Sequence, residues 1–137
     1  MSIIILNKEY DINLQKLYLY KKNLISLSDG IERLCNLQTL YLIKNHLISL
    51  SAGIGKLINL QELYLSYNCL KNLPVEIGKL INLQELYLNN NSLISLPDEI
   101  GNLSKLRVLD LRYNKLSSLS ADFSKLINLE ELYLNES

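Results

Sequence analysis

The chain has 137 residues, 48% of them hydrophobic, and its 14 basic residues are balanced by 14 acidic ones. That length accommodates one domain with an adequate core. The zero balance removes the general attraction that nucleic acid or an anionic membrane would need.

Residues 1–13 match no recurring unit and are expected to form a partial N-terminal cap. Their apolar run, Ile3–Leu6, is too short for a signal-peptide core, and nothing in the chain approaches a membrane span. Cys35 and Cys69 have neither CxxC nor metal-ligand spacing, and a secreted domain of this size is usually stapled more densely. An intracellular, cytoplasmic location is the expectation.

From Leu14 onward the chain repeats. The stretch IGKLINLQELYL occurs unchanged at Ile54–Leu65 and at Ile77–Leu88, and KLINLEELYL follows at Lys125–Leu134. Units open at Leu14, Leu37, Leu60, Leu83, Leu106 and Leu129, each step being 23 residues with no insertion, and the sixth unit is truncated at Ser137. Within a unit, LxLxx alternates with period two, which suits a short strand with its leucines on one side. The leucines and isoleucines of the second half then cover that side. One unit cannot bury its apolar face alone, but stacked neighbours make a continuous core.

The pattern LxxLxLxxNxL resembles the leucine-rich repeat. Its second half, LPxEIGxLxNL, is similar to the 23-residue subtype of Ras-suppressor and Scribble-like proteins and of plant intracellular Ras-group repeat proteins. The resemblance covers residues 14–137 and implies an α/β solenoid. Such a solenoid is a right-handed arc with short parallel strands on its concave face and irregular, 3-10 or short helical segments on its convex face. It also implies that Asn45, Asn68, Asn91 and Asn114, at the ninth position, form a structural ladder bonding backbone groups inside the bend, since an amide both donates and accepts. Lys22 breaks that column in the first unit, with Asn23 one place later. Pro74 and Pro97 suit an extended return segment, where Ser28, Ser51 and Ser120 stand in other units. Gly55, Gly78 and Gly101 are expected at a turn or helix boundary.

Residues between the strand leucines point away from the core. The fifth position reads Tyr18, Tyr41, Tyr64, Tyr87, Asp110 and Tyr133, with Tyr20, Tyr67 and Tyr113 a few places later on the same side. Eight of the nine tyrosines thus fall on one surface, leaving out Tyr10. Two readings compete. Tyrosine favours strands, and adjacent rings stabilise a sheet by cross-strand packing. A row of amphipathic rings is also a ready interface, because tyrosine is enriched at binding hot spots. Charges are graded along the face. Lys16, Lys21, Lys22, Lys44 and His46 lie early, Glu62 and Glu85 central, Arg107, Arg112 and Lys115 next, and Glu130, Glu131 and Glu136 last.

No catalytic constellation is visible. His46 stands alone, Gly53-Ile54-Gly55 lacks the third glycine of a nucleotide loop, and no GxxxxGK[ST] occurs. Glu62 and Glu85 recur because the unit recurs. Aspartate-rich calcium turns are missing. The expectation is a non-enzymatic module with no cofactor and no metal that docks a protein or peptide on its concave face. Tyr18, Tyr41, Tyr64, Tyr87, Tyr133, Tyr67, Tyr113 and Arg112 would make the contact. Nucleic acid and membrane are not expected partners. The resemblance implies signalling partners such as a small GTPase or phosphatase subunit, and short arrays of this kind also act as host-targeting factors of pathogens. The alternative is a structural or assembly subunit, or a fragment of a longer array. It would associate through an open C-terminal edge where Leu129, Leu132 and Leu134 lack a covering repeat.

Overall fold

A computed structural model describes residues 1–27 and 29–134; Ser28, Asn135, Glu136 and Ser137 lie outside the described residues. The chain opens with an antiparallel hairpin, β1 (Ser2–Ile5) and β2 (Lys8–Asp11). Its turn places Leu6 and Asn7 in left-handed backbone, and Ile5 enters the core, with Tyr10 packing partly against it.

Six three-residue strands follow at intervals of one unit: β3 (Lys16–Tyr18), β4 (Thr39–Tyr41), β5 (Glu62–Tyr64), β6 (Glu85–Tyr87), β7 (Val108–Asp110) and β8 (Glu131–Tyr133). They pair in parallel, in sequence order and in strict register, so each residue faces its equivalent in the next repeat. The alternation explains the strand. Leu40, Leu63, Leu86 and Leu109 are wholly buried, while the residues on either side turn to the other face. Parallel neighbours need a long crossover, and each crossover here carries the covering layer.

That layer is a short α-helix, α1 (Asp29–Glu32), and then four 3-10 turns at Ala52–Lys56, Val75–Lys79, Asp98–Asn102 and Ala121–Lys125, each packed on the next. Extended residues precede the turns: Pro74 and Pro97 at φ −69° and −68°, and Ser51 and Ser120 in the same place. The Pro74 carbonyl accepts from the Ile77 N–H at 3.0 Å and closes the first turn without needing a donor from the proline. Each turn sends one isoleucine inward (Ile54, Ile77 and Ile100), with Phe123 taking the place in the last. Burying each such side chain stabilises the stack by about 1.5–3 kcal/mol.

The glycines lie near the ends of the turns, at the turn positions the sequence suggested. Gly55, Gly78 and Gly101 sit inside the 3-10 turns, each followed immediately by the last turn residue, and no glycine has a positive φ. Their role is close approach: a Cβ on Gly78 would lie 2.8 Å from the Glu99 carbonyl oxygen of the next repeat.

The core thins towards the last repeat. Leu129 is half-buried, and Leu132 and Leu134 are exposed, in contrast to their covered equivalents one repeat earlier, Leu106, Leu109 and Leu111; Leu119 is exposed where Leu96 is partly buried. Among the described residues, no helix is long and apolar enough to cross a membrane.

Candidate functional site

Two columns of amides fix the scaffold beneath the exposed sheet face. Asn68 donates from Nδ2 to the Leu42 and Leu65 carbonyls, both at 3.0 Å, and accepts at Oδ1 from the Leu47 N–H at 3.0 Å. Asn45, Asn91 and Asn114 repeat the arrangement, each joining its own repeat to the preceding one. All four are buried. The first unit lacks such a side chain; Asn45 serves the Leu24 N–H as its equivalents do in later units, and also accepts from the Lys22 N–H.

The other column escaped the sequence reading. Asn59 and Asn82, at the last place of the unit, donate to the Cys35 and Ile58 carbonyls at 3.0 and 2.9 Å, and Asn128 donates to Ser104. Lys105 stands in the same place and reaches Asn82 Oδ1 at 2.8 Å. The asparagine that precedes five of the six opening leucines is the available signal.

On the sheet face, the register sets Tyr18, Tyr41, Tyr64 and Tyr87 side by side. Ring centroids are 5.7, 5.2 and 4.7 Å apart along the row, and the planes turn from 47° to 38° to 5°. The last pair is therefore a true stack, at the strand spacing. Tyr20 joins the row's start, 6.3 Å from Tyr41. Tyr64 and Tyr87 are half-buried, and each phenol donates to a carboxylate of its own strand, Glu62 or Glu85, at 2.6 Å. Burial first, and then this hydrogen bond, push both phenols well above the usual tyrosine range.

Asp110 breaks the row and is buried, at 3% exposure. Arg112 grips it from two positions on: Nε donates to Oδ1 at 2.9 Å and an Nη to Oδ2 at 2.6 Å. The same guanidinium lies over the Tyr133 ring at 4.8 Å, so Arg112 links the broken rung to the next. Arg107 is likewise engaged, with Glu130. Tyr67 and Tyr113 project from the rim, both half-exposed and both in left-handed backbone, at φ 57° and 58°.

The expected contact residues are thus distributed over three settings. Tyr18, Tyr41, Tyr64 and Tyr87 form one continuous row; Arg112 and Tyr133 form a second cluster beyond Asp110; Tyr67 and Tyr113 stand on the rim. Among the described residues, no group of three or more His, Cys, Asp or Glu side chains is placed to hold a metal ion.

In-register parallel strands, a covering layer of 3-10 turns and a buried asparagine column define a leucine-rich-repeat solenoid. The chain belongs to the leucine-rich-repeat family, whose sequence profile matches residues 35–93 and 81–136. A solved leucine-rich-repeat protein of Leptospira interrogans is similar, with a TM-score of 0.88 and 47% sequence identity over 90% of this chain and 32% of its own. The chain thus spans about a third of that relative's length, as the 32% coverage gives. Comparison with curated protein sequences returns no match. Members of this family generally mediate protein–protein interaction, and the fold is typically a non-enzymatic scaffold.

Proposed function

We propose that this chain is a protein-binding module whose concave sheet face docks a protein or peptide across the tyrosine row. One observation carries the reading: four rings from four successive strands form an unbroken, partly exposed aromatic strip. Tyrosine supplies large apolar contact with a polar tip at low entropic cost, as interface anchors do. The carboxylates of Glu62 and Glu85 hold two of the phenols in place, so part of the ordering cost of binding is already met.

The 23-residue unit, similar to the Ras-group subtype, favours an intracellular signalling partner of the GTPase or phosphatase kind. Replacing Tyr64 and Tyr87 together with Ser tests the face. Capture of a protein partner should be lost while the thermal transition is retained, and Ile48→Ser, an exposed change off the sheet face, should leave capture intact. Unchanged capture by the tyrosine variant would move the function elsewhere.

A second reading rests on β8, which has a neighbour on one side only and leaves Leu132 and Leu134 exposed. An outer strand of this kind pairs readily with another copy or a further repeat. Light scattering over a range of concentrations, compared between the natural chain and Leu132→Lys, would register association through this edge.

A further inference from the structure

We infer that the rim beside the tyrosine row, over the first three repeats, binds an acidic peptide segment of the partner. The inference rests on the reading of this molecule as a protein-binding module. A groove of about 530 Å³ runs past Lys21, Lys44, His46, Tyr67 and Cys69, and no acidic side chain lines it. The Lys44 ammonium lies between two rings, 5.8 Å from the centroid of Tyr20 and 5.6 Å from that of Tyr67. Lys21 shares the Tyr20 ring, also at 5.8 Å.

Among the described residues, neither lysine has a carboxylate within ion-pair distance, whereas Arg107, Arg112 and Lys125 are each engaged. A groove of about 650 Å³ near the sheet's opposite end contains Arg107 already neutralised by Glu130. The rim thus brings two exposed ammonium groups and His46 together in one groove without an acidic neighbour in its lining. The rings hold the ammonium groups over an apolar floor, where a carboxylate would meet two cations and the Tyr67 phenol together.

The occupant's size follows from the repeat. Three repeats span about 10 Å at about 4.8 Å per strand, and an extended peptide rises about 3.3 Å per residue, so about three residues cover the rim. A short acidic segment fits that span. A longer polyphosphate does not, because Glu85 stands in the next repeat along the same face and the chain carries no net positive charge.

Fluorescence anisotropy with labelled hexaglutamate at low salt tests the assignment. The natural chain should bind the probe, and added salt should weaken it. Lys21→Glu/Lys44→Glu, both exposed positions, should bind about tenfold or more weakly with an unchanged circular dichroism spectrum, and Lys21→Ala/Lys44→Ala should fall between. Tyr64→Ser/Tyr87→Ser should still bind the probe, which separates failure of the rim from failure of the ladder. No binding by the natural chain, equal binding by both lysine variants, or tighter binding of oligothymidylate or of phosphatidylserine vesicles than of hexaglutamate would overturn it.

Discussion

Tyr64 and Tyr87 lie face to face, 4.7 Å between centroids and 5° from parallel, and each phenol is tied to the glutamate two residues before it in its strand. The pair is one element of the repeat printed twice, Glu-Leu-Tyr on β5 and on β6, in register. Leucine between the two polar residues drops into the core, so the carboxylate and the ring emerge on the same face within reach of each other.

This arrangement has an alkaline signature. Folding raises the proton affinity of both phenols, by burial first and then by the hydrogen bond to Glu62 or Glu85. A proton held more tightly in the folded than in the unfolded chain stabilises the fold fully below the unfolded tyrosine value of about 10. The contribution is lost as pH rises from there through the higher folded value. The denaturation midpoint should therefore fall with pH above about 10, and fall less steeply in Tyr64→Phe/Tyr87→Phe. Equal slopes in the two proteins would show that these phenols are not held protonated by the fold.

The asparagine columns should differ in cost. Asn68→Ala removes a buried side chain that serves three carbonyls and one N–H, leaving those bonds unmade. A loss of about 1–3 kcal/mol per buried unsatisfied group is expected, measured by urea denaturation. Asn59 makes one bond at an exposed position, and Asn59→Ala should cost about 0.5–1.5 kcal/mol.

Equivalent leucines should likewise report their place in the stack. Leu63 is fully buried between neighbouring repeats, and Leu63→Ala should lower stability by about 2–5 kcal/mol. Leu132, at the same place in the last unit, is 38% exposed. Its change to Ala should cost well under half as much in a chain that remains monomeric. Similar losses at both positions would mean that something covers β8 in solution.

The repeat period, the strands and the solenoid class were legible in the sequence because each unit repeats without insertion and because leucine alternation admits one inward face. What a single unit cannot reveal is the approach of its neighbour. Gly78 reads only as a turn residue until the Glu99 carbonyl is seen pressing on it, and Asn82 reads as a surface residue until it reaches Ile58. Asp110 was grouped with the exposed rungs by its position. It is buried because Arg112, two residues later, folds back and neutralises it, which depends on side-chain conformation and not on spacing. Close approach itself is testable: Gly78→Ala forces a Cβ against backbone that cannot swing aside, at about 1–3 kcal/mol. Gly53→Ala meets only the end of the Glu32 side chain, which can move, and should cost less.

Lys21, Lys44, Tyr67, Asn90 and Tyr113 occupy one place in five successive repeats, and all have a positive φ between 51° and 60°. Asparagine adopts this left-handed conformation readily, whereas a Cβ-bearing lysine or tyrosine pays about 1–2 kcal/mol for it. The turn demands the geometry because the N–H at this place donates to the next repeat, as Tyr67 does to the Asn89 carbonyl at 3.1 Å. Glycine would meet the same demand without the steric cost, although it loses more entropy on folding. Tyr113→Gly removes a half-exposed ring for which no ring-stacking or ion-pair contact is seen among the described residues, so little packing is lost with it. A gain of about 0.5–1 kcal/mol is expected in urea denaturation. Lys44→Gly should gain less, because its ammonium lies against two rings, and should also bind the acidic probe at the rim more weakly. Stabilisation by Lys44→Gly with probe binding intact would separate the left-handed turn from any part in recognition.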